Sequence, residues 1–298
     1  MKKLIKLMSL LCALLMIVSF GLVGCKNSKD DDDEPSYKKK DTLNGMTVEE
    51  VYNDIMDTID TYQDNFTSVT NYKIKCKTNV GGQSLTMNMT MTDTFSMQDG
   101  NFYEKTFIDA GEIMGEDLGE ITNEVWYVGD TAYLNQIDTV NGNNQKMRYN
   151  SSWEYLLEFL DLEQESIFNP IYDFSNTAFD EVKFYINSED SDDVYFDIIL
   201  DGEEASNFAM KLFEKQNNGA SNFEIDEIQY RFILNEDGEL DHIEIDFVAD
   251  VEADSMTMKY TYDGTIEFSN IGTTEVTAPA DANDYLDLGN LPGYVPAE

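Results

Sequence analysis

Histidine and cysteine are scarce in this sequence, while carboxylates are everywhere. Its one histidine, His242, lies among Asp241, Glu244 and Asp246, and no GxSxG-type elbow occurs. A Ser-His-Asp or Cys-His site would have to recruit His242, yet Cys76 has no activating motif around it. His242 is therefore expected as an exposed strand histidine. Zinc requires clustered cysteine and histidine, which the chain does not have. Glu189-Asp190-Ser191-Asp192-Asp193 and Asn235-Glu236-Asp237-Gly238 are its densest carboxylate runs. Neither has the EF-hand spacing, so both read as solvated turns. Because there are 59 Asp and Glu residues, any two carboxylates could meet, and their number gives no support to a glycosidase. The sequence predicts no catalytic residue, no metal site and no cofactor.

Cys25 is the thiol with a setting. It ends an apolar run, residues 4–25, that begins behind Lys2, Lys3 and Lys6 and has the length and flanks of a signal peptide over Leu7 to Phe20. Leu22-Val23-Gly24-Cys25 resembles the bacterial lipobox, in which small residues precede a cysteine that is acylated before the signal is cut. On that reading residues 1–24 are a lipoprotein signal peptide and Cys25 is the lipid attachment site at the start of the mature chain. Residues 25–42, with KNSKDDDDEPSYKKK at 26–40, are too charged to fold and are expected to be a solvated tether. A single acyl chain binds a bilayer only marginally, so firm anchoring needs several. The expected location is the extracytoplasmic face of the cell membrane, held through Cys25.

Losing the signal removes three lysines and no acid, taking the formal charge from -40 to -43. Such a surface repels nucleic acid, which is bound through clustered Lys and Arg, and none is expected as a partner. Only Arg148 and Arg231 supply guanidinium groups for bidentate clamps. Cys12 leaves with the signal and Cys25 is consumed by lipid. Cys76 then remains alone, most simply as a small buried hydrophobe.

The elements that position these residues read in order. Thr47-Val48-Glu49-Glu50 is a capping box, and Val48, Val51, Ile55, Ile59, Tyr62 and Phe66 follow at helical spacing. Tyr72, Ile74 and Cys76 then alternate with lysines. Leu85, Met87, Met89, Met91, Phe95 and Met97 share one face of a strand about 40 Å long at 3.3 Å per residue. Asp93 breaks that row and reads as a bulge or bend at a rim. Asp99-Gly100 and Gly129-Asp130 are hairpin turns, while 109–119 reads as a mobile acidic loop. Ser152 opens a second helix with Trp153, Leu156, Leu157, Phe159 and Leu160; 203–216 has the spacing of a third. Strands fill the last third, with a phase slip near Glu227, and Met256, Met258, Tyr260, Tyr262, Ile266 and Phe268 keep one parity across Gly264.

The pattern fits one α+β domain over 43–279 with a large antiparallel sheet and helices on one side, followed by an irregular tail at 280–298. The methionine rows fit either a core packed beneath helices or an adaptable wall around an apolar ligand. The lipobox, opening helix, long strands, VWYVGDTAYLNQ (125–136) and FSNIGTTEVTAP (268–279) together resemble the LolA-like and LppX/LprG-like envelope lipoproteins. The resemblance implies a half-barrel, its large curved sheet covered on the concave side by two or three helices, with an apolar cavity and no catalytic residues. Met87, Met89, Met91, Phe95, Met97, Met256, Met258 and Tyr260 would line that cavity. The expected activity is non-enzymatic binding of a lipid-like ligand. The alternative is a surface interaction or sensory module that binds a protein or wall polymer through its loops.

Overall fold

The computed structural model describes residues 37–62, 65–80, 83–113, 116–139, 142–160, 179, 182–187, 194–201, 222–253 and 256–295. The lipobox Leu22, Val23, Gly24 and Cys25 lie outside the described residues, as do the acidic run 189–193 and the expected third helix at 203–216. Among the described residues, strands dominate. In chain order these are β1 (Tyr37–Lys40), α1 (Val48–Tyr62), β2 (Asn65–Val80), β3 (Gln83–Gln98), β4 (Asn101–Asp109), β5 (Glu112–Ile113), β6 (Glu116–Asp117), β7 (Glu120–Val128), β8 (Thr131–Asp138) and β9 (Asn143–Asn150). There follow α2 (Trp153–Leu160), β10 (Phe184–Asn187), β11 (Val194–Asp201), β12 (Asn222–Leu234), β13 (Leu240–Ala253), β14 (Met256–Ser269) and β15 (Leu286–Asn290). Thirteen strands hydrogen-bond in the order β1-β10-β11-β12-β13-β14-β2-β3-β4-β7-β8-β9-β15, and β5 with β6 forms a separate ribbon.

This corrects the expected α+β half-barrel. The described fold is mostly β: a single large sheet with two described helices, not a sheet whose concave side is covered by helices. A helix is about 10 Å across and strands lie about 4.8 Å apart, so each helix covers about two strands. Two cannot roof thirteen. The chain divides into two compact units, the first built from residues up to 61, 72–86 and 171–267, the second from 62–71, 87–170 and 268–298.

In the first unit, α1 begins as its sequence requires. The Thr47 amide donates to Glu50 Oε2 at 2.8 Å and the Glu50 amide donates to Thr47 Oγ1 at 3.3 Å, the reciprocal pair of a capping box. Its Val48, Val51, Tyr52, Ile55 and Ile59 are buried, and the Tyr52 ring meets Phe232 edge-on at 6.0 Å. Register aligns Phe184 with Phe196 and Phe196 with Phe232, and the last pair stacks at 4.7 Å. On the opposite parity, Asp197 faces Arg231, whose Nε donates to Asp197 Oδ1 at 2.9 Å while the guanidinium lies 4.4 Å from the Tyr195 ring. The phase slip near Glu227 is a register shift between Ile225 and Ile228. Cys76 is free and buried. The end of the expected tether is ordered: residues 37–40 pair with β10 as an edge strand, and Lys39 lies over the Tyr185 ring at 5.0 Å. An open edge offers unpaired amides and carbonyls that even a charged segment can satisfy.

In the second unit, β3 and β4 join through Asp99-Gly100, and β7 and β8 through Gly129-Asp130. All four residues have positive φ, as tight hairpins require. Phe66, expected on the opening helix, instead lies in β2 and is buried with Met97, Phe102, Tyr127, Ala132, Leu156 and Leu291. Helix α2 supplies Leu156 to that core, and Trp153 meets Phe102 edge-on at 5.4 Å. The acidic segment 109–119, expected as a mobile loop, is tied: Ala110 donates to the Gly119 carbonyl, Leu118 to the Gly111 carbonyl, and β5 pairs with β6. The C-terminal segment carries strand β15, which runs parallel to β9 at the end of the sheet order.

Gly111 has φ of +66°, and a Cβ there would sit 1.8 Å from the Asn88 carbonyl oxygen. Gly100, at φ +81°, has open space around the same position. Gly111→Ala should therefore destabilise by well over the roughly 1 kcal/mol expected of an alanine placed at positive φ. Gly100→Ala should cost no more than about that. Denaturant melts of the two variants compare them directly, and equal losses would contradict the close approach at Asn88.

Candidate functional site

Side chains on a strand alternate between faces, so cross-strand register decides which residues meet. In the second unit two adjacent rows result on one face. Lys105 pairs with Glu124, Glu124 with Asn135 and Asn135 with Lys146; beside them Tyr103 pairs with Trp126, Trp126 with Tyr133 and Tyr133 with Arg148. One row is polar and the other aromatic. The Tyr103 hydroxyl donates to Glu124 Oε1 at 3.2 Å, and Asn135 Nδ2 donates to Glu124 Oε2 at 2.7 Å. Burial, reinforced by the Glu124 charge, holds the Tyr103 hydroxyl well above the ordinary phenol range.

The C-terminal segment completes the site. Thr274 donates its amide to Asn65 Oδ1 at 2.7 Å, and the Val276 amide donates to Gln98 Oε1 at 2.8 Å. Further on, Asp281 pairs with Lys146, and Tyr285 meets Trp126 and Tyr133 edge-on at 6.4 and 5.5 Å. Lys146 Nζ lies 5.4 Å from the Tyr285 ring. The hydrogen bond to Asp281 raises the Lys146 pKa and lowers that of Asp281, while burial pushes the Tyr285 hydroxyl up to about 12. Between segment 277–281 and the two rows lies a cleft of about 480 Å³, walled by Glu124, Trp126, Asn135, Lys146, Asp281 and Tyr285. That volume falls within the range of small-molecule sites. Asn135 is 7% exposed, and its Oδ1 is buried without a hydrogen-bond partner.

The residues expected to line a cavity are distributed differently. Met87, Met89, Met91 and Met97 are buried on one face in the second unit, with exposures of 5% or less, and Met97 packs into the aromatic core. Phe95 is half-buried between Phe66 and Phe102. Met258 and Tyr260 are fully buried in the first unit, where the Tyr260 hydroxyl donates to Met258 Sδ at 3.3 Å. The Met256 side chain lies outside the described residues. Asp93 is not at a bulge: it pairs in register with Thr106, whose hydroxyl donates to Asp93 Oδ1 at 2.8 Å.

His242 lies in β13 and is half-buried. It sits 2.7 Å from Asp241 and 4.0 Å from Glu244, and its pKa is pushed up to about 9 by hydrogen bonding to Glu244, against burial, with Asp241 adding to the rise. Burial pushes the Cys76 thiol up to about 11, which leaves it unreactive. At 235–239, Asn235 Oδ1 accepts from the Asp237 and Glu239 amides, a turn satisfied by its own backbone. Among the described residues no three metal-ligating side chains converge, and no helix is long and apolar enough to cross a membrane.

No family model and no curated protein matches the chain. Three solved structures are similar in part. A DUF1329 family protein from Desulfovibrio piger is 14% identical over 75% of this chain and 91% of its own, with a TM-score of 0.24. The ywiB protein from Bacillus subtilis is 12% identical over 67% and 92%, with a TM-score of 0.19. A beta-barrel-like DUF1849 protein from Brucella abortus is 9% identical over 70% and 98%, with a TM-score of 0.21. Likeness at that level carries no argument about function.

Sequence reasoning passed over the cleft. Trp126 and Tyr133 do stand opposite each other across the two-residue Gly129-Asp130 turn, which signals an aromatic pair. Tyr285 and Asp281 come about 150 residues later in the sequence, and nothing local to them announces where they dock.

Asp93 and Glu104 supply a test on the opposite face. Burial raises both carboxyl pKa values; the Thr106 hydrogen bond partly offsets it at Asp93, and the Asp93 charge adds to it at Glu104. Each group binds its proton more tightly folded than unfolded, so its contribution to stability is complete below the ordinary carboxyl range of about pH 4 and is lost as pH rises above it. One such group changes stability by at most about 1.4 kcal/mol per pH unit. Asp93→Asn with Glu104→Gln should flatten the fall in melting temperature between pH 5 and pH 8. An unchanged slope would remove both groups from the account.

Proposed function

We propose that this chain is a non-enzymatic binding protein, held on the extracytoplasmic face of the cell membrane by lipid on Cys25, that takes its ligand in the Trp126–Tyr285 cleft. The observation that carries the reading is the orphaned Asn135 Oδ1 beside an aromatic row in a cleft of ligand size. A buried acceptor without a donor costs about 1–3 kcal/mol, which a ligand N–H or O–H would recover on displacing the side chains that close the oxygen off from solvent. The lipobox and the charged segment after it support the anchored location. A photo-reactive phenylalanine analogue at Tyr133, used on intact cells, should capture an occupant, and Trp126→Ala should abolish that capture. Equal capture with and without Trp126 would refute the cleft as the site. Cys25→Ala should shift the chain from the membrane fraction to the medium; retention in the membrane would refute the anchor.

A second reading, an apolar or amphiphilic ligand of the kind carried by the LolA-like and LppX/LprG-like lipoproteins, has one observation in its favour. Met87, Met89 and Met91 line one face of β3 and lead to Asp93 on the same face, an adaptable apolar wall ending at a polar spot. Because these residues are closed to solvent, the interior would have to open for such a ligand. Organic extraction of protein purified from membranes, followed by mass spectrometry, decides it: a stoichiometric lipid beyond the anchor supports this reading, and none rejects it.

A further inference from the structure

We infer that the occupant of the Trp126–Tyr285 cleft is an uncharged sugar ring bearing hydroxyl or acetamido groups; the inference rests on the cleft being the ligand site. Three features of the walls select this chemistry.

The first is the orientation of Asn135. Its Nδ2 is committed to Glu124 Oε2 at 2.7 Å, and the reversed amide would set oxygen against oxygen. Its Oδ1 therefore stays an acceptor and calls for a neutral or positive donor. The second is charge. The basic groups at these rows are already matched to acids: Lys146 with Asp281, Arg148 Nη2 with Asp287 at 2.7 Å, and Lys105 with Glu124 at 4.0 Å. An anion finds no uncommitted cation among these groups and meets a chain of net charge -40. A cationic ligand would compete with the Lys146 ammonium that already lies against the Tyr285 ring. What remains is a neutral group that both donates and accepts hydrogen bonds. The third is shape. Trp126 stands in the cleft wall with Tyr285 edge-on to it, so aromatic side chains adjoin the polar row of Glu124, Asn135 and Lys146. A pyranose has the matching two-sidedness, with C–H groups on its faces and hydroxyls around its rim. An acetamido substituent adds an N–H for Asn135 Oδ1 and a carbonyl for the Lys146 ammonium.

The test uses the full-length chain in detergent, with chitotetraose and cellotetraose as ligands, read by saturation-transfer NMR and calorimetry. Binding of either sugar is expected, weakened at least tenfold by Asn135→Ala and by Trp126→Ala, with melting transitions verifying that both variants fold. Asn135→Asp, which keeps an acceptor in place, should retain more affinity than Asn135→Ala. Binding that neither substitution alters overturns the inference, because the sugar then sits elsewhere. No binding of either sugar by the folded chain also overturns it. Photo-capture from Tyr133 reads any occupant of the cleft, so capture without sugar binding refutes the sugar class alone, while loss of both refutes the cleft as well.

Discussion

Cross-strand register in the second unit is the constraint on which the rest depends. Side chains alternate with a period of two, so a slip of one residue between β7 and β8 would carry one strand's pair, Glu124 with Trp126 or Tyr133 with Asn135, to the other face. Were β7 the strand to invert, Trp126 would leave the cleft wall and Tyr127 its place against Trp153 of α2. Packing on one face therefore fixes chemistry on the other. Phe102, Tyr127 and Ala132 in the core hold the strands in the one alignment that sets polar and aromatic rows side by side opposite them. The Gly129-Asp130 turn adds a local pin, because both residues accept the positive φ that a two-residue connection demands.

Much of this was legible in the sequence. The capping box at Thr47, the long alternations, both tight hairpins and the slip near Glu227 rest on local chemistry, and local chemistry is what a sequence displays. Helical spacing failed at Phe66 because an aromatic four residues past a helix end can keep the phase by chance while its backbone has become a strand. Asp93 misled for a different reason. A carboxylate in an apolar row suggests a break in pairing, yet one hydroxyl on the neighbouring strand, Thr106, lets it stay in register. Helix coverage was overestimated because amphipathic segments show that a helix has something to cover, not how much sheet is left over.

The cleft was illegible for a topological reason. Its floor comes from β7, β8 and β9, but its lid side comes from residues 277–285, and no pattern in those residues reveals their destination. Their anchoring is distributed: Thr274 and Val276 fasten one end to Asn65 and Gln98, while Asp281 and Tyr285 fasten the other. Site and strap are thus one construction. The methionine rows show the converse case, a pattern read correctly as one-sided but silent on whether that side would be hollow or full.

The two ends of the sheet share a property. One is finished by β1, the four residues that end the charged segment, and the other by β15, which has five residues. Short terminal strands leave little exposed backbone for a neighbouring molecule to extend, which guards copies of the chain against pairing edge to edge.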